Sequence, residues 1–440
     1  MNERTKAVEY DVIVVGSGTS GATLARELAG REQKVLLLER STNTSVKETV
    51  PGILAVAKEF VVGEQLKGLT VHAVGGCSTV YFAKCILPTK ETFAKLGVDL
   101  SRQVRELRTQ IPMAELPDEF LAPQSVLVRD SALRLGHGIK KHLMLIDQSK
   151  CPQGQYSYEA KWKARSYIDE GLANGMQLTT GALVQRIVVE NGRAVGVEYT
   201  RKQGLMGGTT MHTVYGRNIV LCAGALETPK LLIDCGIDNV GDGGFFSHAG
   251  FMLCGTVPGL RGRPGYIGQF DLEIDELPPE ILVGDATMNP ALFKLIMLGN
   301  RQWRRMFAHA QTVSLGISVD DAPSGGVDRN GRFYKKLAPK EHAALDRAAA
   351  VGRTILEQAG ARNIFRSQLA GGVPGAVLRI GKHLDASLQT QIRNLYVCDH
   401  SLIPDAKATP TVTLMCLAKY LAERLAGAQV GSHRLHAVAV

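Results

Sequence analysis

Three glycines and a carboxylate give this chain its clearest chemical signature. Gly16, Gly18 and Gly21 stand at G-x-G-x-x-G spacing within the run from Tyr10 to Arg40, and Glu39 follows near its end. Bare backbone at Gly16 and Gly18 lets a pyrophosphate come close, and Gly21 lets a helix pack tightly on its strand. The helix that follows presents free N–H groups and a partial positive charge to phosphate oxygens. Ser17, Thr19 and Ser20 sit between the glycines, and Arg40 follows the acid. A carboxylate at Glu39 can accept both ribose hydroxyls and would repel a 2′-phosphate. This chemistry is dinucleotide binding, and the unit alone leaves FAD and NAD equally open.

Positioning those residues takes a strand, a turn, a helix and a second strand. The apolar run Val12 to Val15 reads as a buried parallel strand, Ala22 to Gly30 as the helix, and the residues before Glu39 as the second strand. The rest of the composition fits a large folded protein. The chain has 440 residues, of which 45% are hydrophobic, enough to bury the cores of two domains. Its charged N-terminus reads straight into the first strand, and no run of eighteen apolar residues follows, so we expect a cytoplasmic protein without a membrane span. The eight cysteines are scattered without a C-x-x-C pair and are expected as buried thiols. His137 and His142 are five apart, which does not align two imidazoles on a helix face, so no metal site is expected. The formal charge of +9 comes without a recognition helix or zinc pattern, and nucleic acid is not an expected partner.

Further stretches carry a family resemblance. Val74-Gly75-Gly76-Cys77-Ser78-Thr79 is similar to the second flavin contact of the glucose-methanol-choline (GMC) oxidoreductases. The run GRNIVLCAGALETPKLLIDCGI, Gly216 to Ile237, resembles that family's second signature, and Asn394 to Gly427 resembles its closing segment. The resemblance implies an α/β fold with a Rossmann-like FAD-binding domain and an α+β, antiparallel-sheet substrate domain. The FAD-binding part would comprise residues 1–90, 160–245 and 381–430, and the substrate part residues 91–159 and 246–380. It also implies flavin contacts at Gly75, Gly76, Cys77, Ser78, Ala223 and Gly224, and an adenine contact through the backbone of Val184. Asp399, with His400 after it, would meet the phosphates and ribitol. Pro410, Thr411 and Val412 would set N–H groups beside the flavin's pyrimidine ring, where charge builds on reduction. Some members join a histidine covalently to the flavin at the position of Val80, so FAD here is expected to be non-covalent.

Relatives that oxidise alcohols use a histidine to take the hydroxyl proton, with a second histidine or an asparagine beside it. Laying VPGAVLRIG, Val373 to Gly381, on the family run puts Val373 at the histidine and Thr409 at its partner. Loss of a general base costs about a hundred- to ten thousandfold in rate. His248, which the diverged stretch VGDGGFFSHAG retains, Tyr81 and His400 are the candidate substitutes. Three functions fit. The first is an FAD-dependent dehydrogenation of an alcohol or sugar-like hydroxyl of a small metabolite, with oxygen or a carrier as electron acceptor. The second is non-alcohol chemistry on the same fold, a lyase, isomerase, desaturation or decarboxylation reaction. The third is a cofactor-binding relic.

Overall fold

The computed structural model describes residues 9–42, 45–63, 66–202, 207–405 and 410–437. The strand Tyr10–Val15 lies between Val35–Glu39 on one side and Thr209–Leu221 on the other, both parallel to it. Gln177–Thr180 extends the sheet beyond Val35–Glu39, and Leu395–Val397 pairs in parallel with the end of Thr209–Leu221. Strands buried on both faces need apolar residues at every position, and Val12, Ile13, Val14 and Val35 to Leu38 are all at most 3% exposed. The helix Thr19–Ala29 covers one face through Leu24, Ala25 and Leu28. It starts three residues earlier than the sequence suggests, so Gly21 lies in its first turn. A Cβ there would sit 1.9 Å from the Gly16 carbonyl oxygen, which is why this position has no side chain.

Thr209–Leu221 is long enough to serve two partners. Its first half pairs antiparallel with Arg193–Lys202, which in turn pairs with Ala182–Glu190. The turn between those two holds Asn191 at φ 49° and Gly192 at φ 69°, the two positive φ values that a two-residue hairpin turn with the right twist requires. The helix Ala164–Ala173 starts only after Lys161 and Trp162, which are taken up in backbone pairing with Ile146 and Leu145.

A second sheet runs Arg362–Arg366, Gly250–Thr256, Thr312–Val319, Ile281–Asp285, Phe270–Glu273 and Gly138–Lys141, with antiparallel neighbours throughout. Alternation along Thr312–Val319 assigns its two faces. Val313, Leu315, Ile317 and Val319 are buried, and Leu315 and Ile317 reach Gly352 in the helix Pro339–Gln358. Pro339 opens that helix, the Glu341 carboxylate caps it by accepting from the Ala338 N–H, and Gly360 at φ 77° ends the chain's helical course. Thr312, Ser314, Gly316 and Ser318 therefore point the other way. On that face the helix Pro290–Gly299 packs Phe293 and Met297 against Cys254 and Met288.

Cysteines follow the expected burial with one correction. Cys85, Cys151, Cys222, Cys254, Cys398 and Cys416 are buried and Cys235 is half-buried, but Cys77 is exposed. It lies on the surface of the short helical turn Gly76–Val80 rather than inside an apolar strand. Among the described residues no helix is long and apolar enough to cross a membrane, and no cluster of His, Cys, Asp or Glu has the makings of a metal site.

Candidate active site

The glycine turn, the Gly75–Gly76 turn and the Cys222–Gly224 turn meet at one place. Gly75 donates its N–H to Ser17 Oγ at 3.1 Å, and a Cβ on Gly76 would lie 3.0 Å from the Gly18 Cα. A Cβ on Gly16 would lie 2.3 Å from the Cys222 carbonyl oxygen. Positive φ at Gly16, Gly75, Gly76 and Gly224 makes these bends accessible to glycine and costly for other residues. By contrast, a Cβ at Gly18 or Gly224 would meet no described atom within 4 Å. Open space in front of bare backbone is what a cofactor needs.

The helix termini at this crevice fit an anionic group. Thr19–Ala29 carries no side-chain cap, so its first N–H groups remain available to a ligand. Ser20 is 4% exposed, and its Oγ has no hydrogen-bond partner among the described residues. The same holds for Thr413 Oγ1 in the first turn of the helix Pro410–Ala437, just after Thr411 and Val412. A buried hydroxyl without a partner costs free energy and calls for an occupant. A flavin dinucleotide's pyrophosphate and ring edge have the acceptors that would satisfy such groups.

Two acids organise the crevice. Glu39 is buried at the end of its strand and accepts from Ser17 N–H at 3.1 Å, Ser17 Oγ at 2.6 Å and Ser41 N–H at 2.7 Å. Arg40 pairs with Glu227 at 3.4 Å and contacts His72, whose pKa falls to about 4 through burial and the guanidinium charge. Asp399 is buried just after the end of the strand Leu395–Val397. Its carboxylate accepts from Gly224 N–H at 3.0 Å, the Thr228 hydroxyl, Ser401 N–H at 3.0 Å and Ser401 Oγ at 2.6 Å. Those four donors occupy it, so Asp399 holds the Gly224 turn and the start of the helix Thr228–Asp234, while burial pushes its pKa up. Val184 pairs with Tyr199 in the outer hairpin, where Arg186 follows after a bulge.

The candidate bases separate clearly. The Tyr81 hydroxyl donates to the Trp162 carbonyl at 2.6 Å, and burial drives its pKa well above the ordinary tyrosine value. His400 Nδ1 donates to the Pro374 carbonyl at 2.9 Å, and burial lowers its pKa to about 4, which leaves a poor proton acceptor. His248 remains. Phe246 pairs with Gly375 and Gly250 pairs with Ala370, so His248 lies directly across the backbone from Gly372 and Val373. Gly372 donates its N–H to Ser247 O at 2.6 Å, in keeping with that register. His248 also holds a left-handed φ of 45°, which a non-glycine residue adopts at a cost.

Comparison with known proteins points to one family. The family model described as GMC oxidoreductase matches residues 121–249. This match supports membership of the GMC oxidoreductases. Long-chain-alcohol oxidase FAO3 of Arabidopsis thaliana is 24% identical to this protein over 81% of the chain. The match spans 54% of that relative, so the chain covers about half the length of the plant enzyme. An uncharacterised protein of Methanocaldococcus jannaschii is 24% identical over 93% of this chain and 98% of its own. Pyridoxine 4-oxidase from Mesorbium loti shares the fold, with a TM-score of 0.69 and 18% identity over 94% of this chain and 99% of that one. The mixed α/β architecture is that of the GMC flavoenzymes, a Rossmann-like cofactor part with a substrate part.

Thr409 lies outside the described residues, while Val373 is half-buried beside Pro374. The sequence reading missed two neighbours of His248. Ser318 Oγ is 3.1 Å from His248 Nε2, and Asp320 Oδ1 is 3.1 Å from His248 Nδ1. A signal for them was present, since Thr312, Ser314, Ser318 and Asp320 keep polar residues at alternate positions through an apolar strand. It also missed Asp271, which accepts from Lys84 at 2.8 Å and meets His142 at 2.7 Å on the same sheet.

Proposed function

We propose that this GMC protein is an FAD-dependent oxidoreductase that dehydrogenates an alcohol or sugar-like hydroxyl of a small metabolite. The supporting observation is the crevice that opens in front of Gly18 and Gly224, beside Gly16 and Gly76, where backbone already fills the place of a side chain. Residues 1–90, 160–245 and 381–430 would form the cofactor part and residues 91–159 and 246–380 the substrate part. FAD, when bound, supplies the hydride acceptor. Gly16 to Gly21 and the helix behind them would hold its pyrophosphate, Glu39 its ribose, and Pro410 to Val412 the pyrimidine edge of its ring. Val80 offers no nucleophile, so binding is non-covalent.

His248 is the base that drives removal of the substrate's hydroxyl proton in this reading. Val373 carries no proton, and the imidazole across from it is the nearest titratable group presented by the paired backbone. The name of the plant relative, a long-chain-alcohol oxidase, and that of the structural neighbour, a pyridoxine 4-oxidase, agree with a hydroxyl substrate. The test is to purify the protein with FAD and add benzyl alcohol, hexanol and glycerol without oxygen. Bleaching of the flavin by an alcohol supports dehydrogenation. Turnover of a candidate substrate without net bleaching would replace it with redox-neutral chemistry.

A further inference from the structure

His248 does not stand alone. Its Nε2 lies 3.1 Å from Ser318 Oγ, and its Nδ1 lies 3.1 Å from Asp320 Oδ1. The carboxylate oxygen is off the hydrogen-bonding direction of the ring nitrogen, and neither atom finds a hydrogen-bond partner among the described residues. Two buried polar atoms in contact and otherwise unsatisfied are uncommon in a folded protein. A small turn of the imidazole would align them. Asp320 is 11% exposed in its side chain and His248 is 36% exposed, so the acid is enclosed and the ring reaches toward open space.

The surrounding charges leave Asp320 to His248. Its neighbour Asp321 is neutralised by Lys335 at 2.7 Å, both fully buried, and accepts from Ser247 N–H at 2.9 Å. That pair fixes the backbone just before His248. His400, whose Nδ1 donates to Pro374, is the other titratable group facing His248. Ser318 stands on the sheet face turned away from the helix Pro339–Gln358, in the row that continues through Gly316. A Cβ on Gly316 would reach Ala286 at 3.7 Å, an ordinary packing contact.

We infer that Ser318, His248 and Asp320 form the proton relay of this enzyme, in place of the histidine absent at Val373. The inference rests on the dehydrogenase reading above. Asp320 holds the proton on His248 Nδ1, which leaves Nε2 as an acceptor. The substrate's O–H proton passes to Ser318 Oγ as the serine's own proton passes to Nε2, and FAD, when bound, would supply the acceptor for the substrate's hydride. The imidazolium so formed is balanced by the Asp320 carboxylate. Ser318 is the residue that touches substrate, and Asp320 is a positioning residue acting through His248. An asparagine at 320 would donate to Nδ1 and drive the proton to Nε2, the wrong tautomer.

The experiment is nitrogen NMR of the FAD-loaded full chain with labelled histidine, the His248 signals being assigned by their loss in His248→Gln. We expect a proton on Nδ1 and a bare Nε2 in the natural protein, and the reverse in Asp320→Asn. Asp320→Glu should restore the natural pattern. A purely structural Asp320 would change the melting temperature and leave the tautomer alone, and an unchanged tautomer in Asp320→Asn overturns the relay. With benzyl alcohol, anaerobic flavin reduction in Asp320→Asn and Ser318→Ala should slow about a hundred- to ten thousandfold with little change in KM. Undiminished reduction in both variants also overturns it. If no alcohol bleaches the natural protein while the tautomer still switches, the dehydrogenase reading fails and the Asp320–His248 coupling stands.

Discussion

Ser17 and Gly75, 58 residues apart in sequence, are joined by a hydrogen bond from the Gly75 N–H to the Ser17 hydroxyl, while that hydroxyl gives its own proton to Glu39. One side chain therefore ties together the glycine turn, the acid at the end of the second strand and the second turn of the crevice. Ser17→Ala removes both bonds and leaves a buried carboxylate short of a donor. Hydrogen bonds to charged groups are worth about 1.5–3 kcal/mol, so FAD affinity should fall roughly ten- to a hundredfold. Titration followed by flavin fluorescence measures it.

Gly18 and Gly21 should respond in opposite ways. Gly18 has a φ of −64° and open space where a Cβ would go, so Gly18→Ala should leave the flavin-free protein as stable or more stable by about 0.4–1 kcal/mol. The same methyl group occupies the cofactor's place, so FAD binding should collapse. Gly21→Ala meets the Gly16 carbonyl at 1.9 Å and should destabilise the flavin-free protein itself by several kcal/mol. Thermal melts with and without FAD separate the two effects.

Lys335 and Asp321 form a fully buried ion pair, and Lys335 also donates to the carbonyls of Phe245 and Ala322. Removing one partner strands the other charge in an apolar setting. Lys335→Met should cost about 3–5 kcal/mol in denaturant unfolding. Because Asp321 holds Ser247, the same change should disturb the His248 backbone, whereas Lys335→Met with Asp321→Asn should recover much of the stability.

His400 makes stability depend on pH. Burial lowers its pKa from the ordinary histidine value of 6.5 to about 4. Between those values the unfolded chain binds more protons than the folded one, so the stabilisation is whole above 6.5 and drains away as the pH falls toward 4. The loss attributable to this residue is at most about 3 kcal/mol. His400→Gln should flatten that part of the stability curve, and a curve of unchanged slope would remove His400 as its source.

Local order was readable in the sequence, and competition for side chains was not. Gly16, Gly18 and Gly21 announced the turn because backbone clearance leaves a mark on residue type. The Asn191–Gly192 turn was equally plain, since its two positive φ values restrict composition. A motif position does not reveal that Gly224, Thr228 and Ser401 supply four donors to the Asp399 carboxylate, nor that the Tyr81 hydroxyl is claimed by a carbonyl 81 residues away. Ser318 and Asp320 went unnoticed although the alternation from Thr312 was visible, because nothing local says which face of a strand meets His248.

The account depends on a flavin dinucleotide filling the crevice between Gly18, Gly76 and Gly224. Its most direct test is to strip the protein of any bound flavin, mix it with FAD and with NAD, and measure what each chain retains through gel filtration. The account predicts one FAD per chain, undisplaced by NAD. Protein that stays colourless at saturating FAD would contradict it.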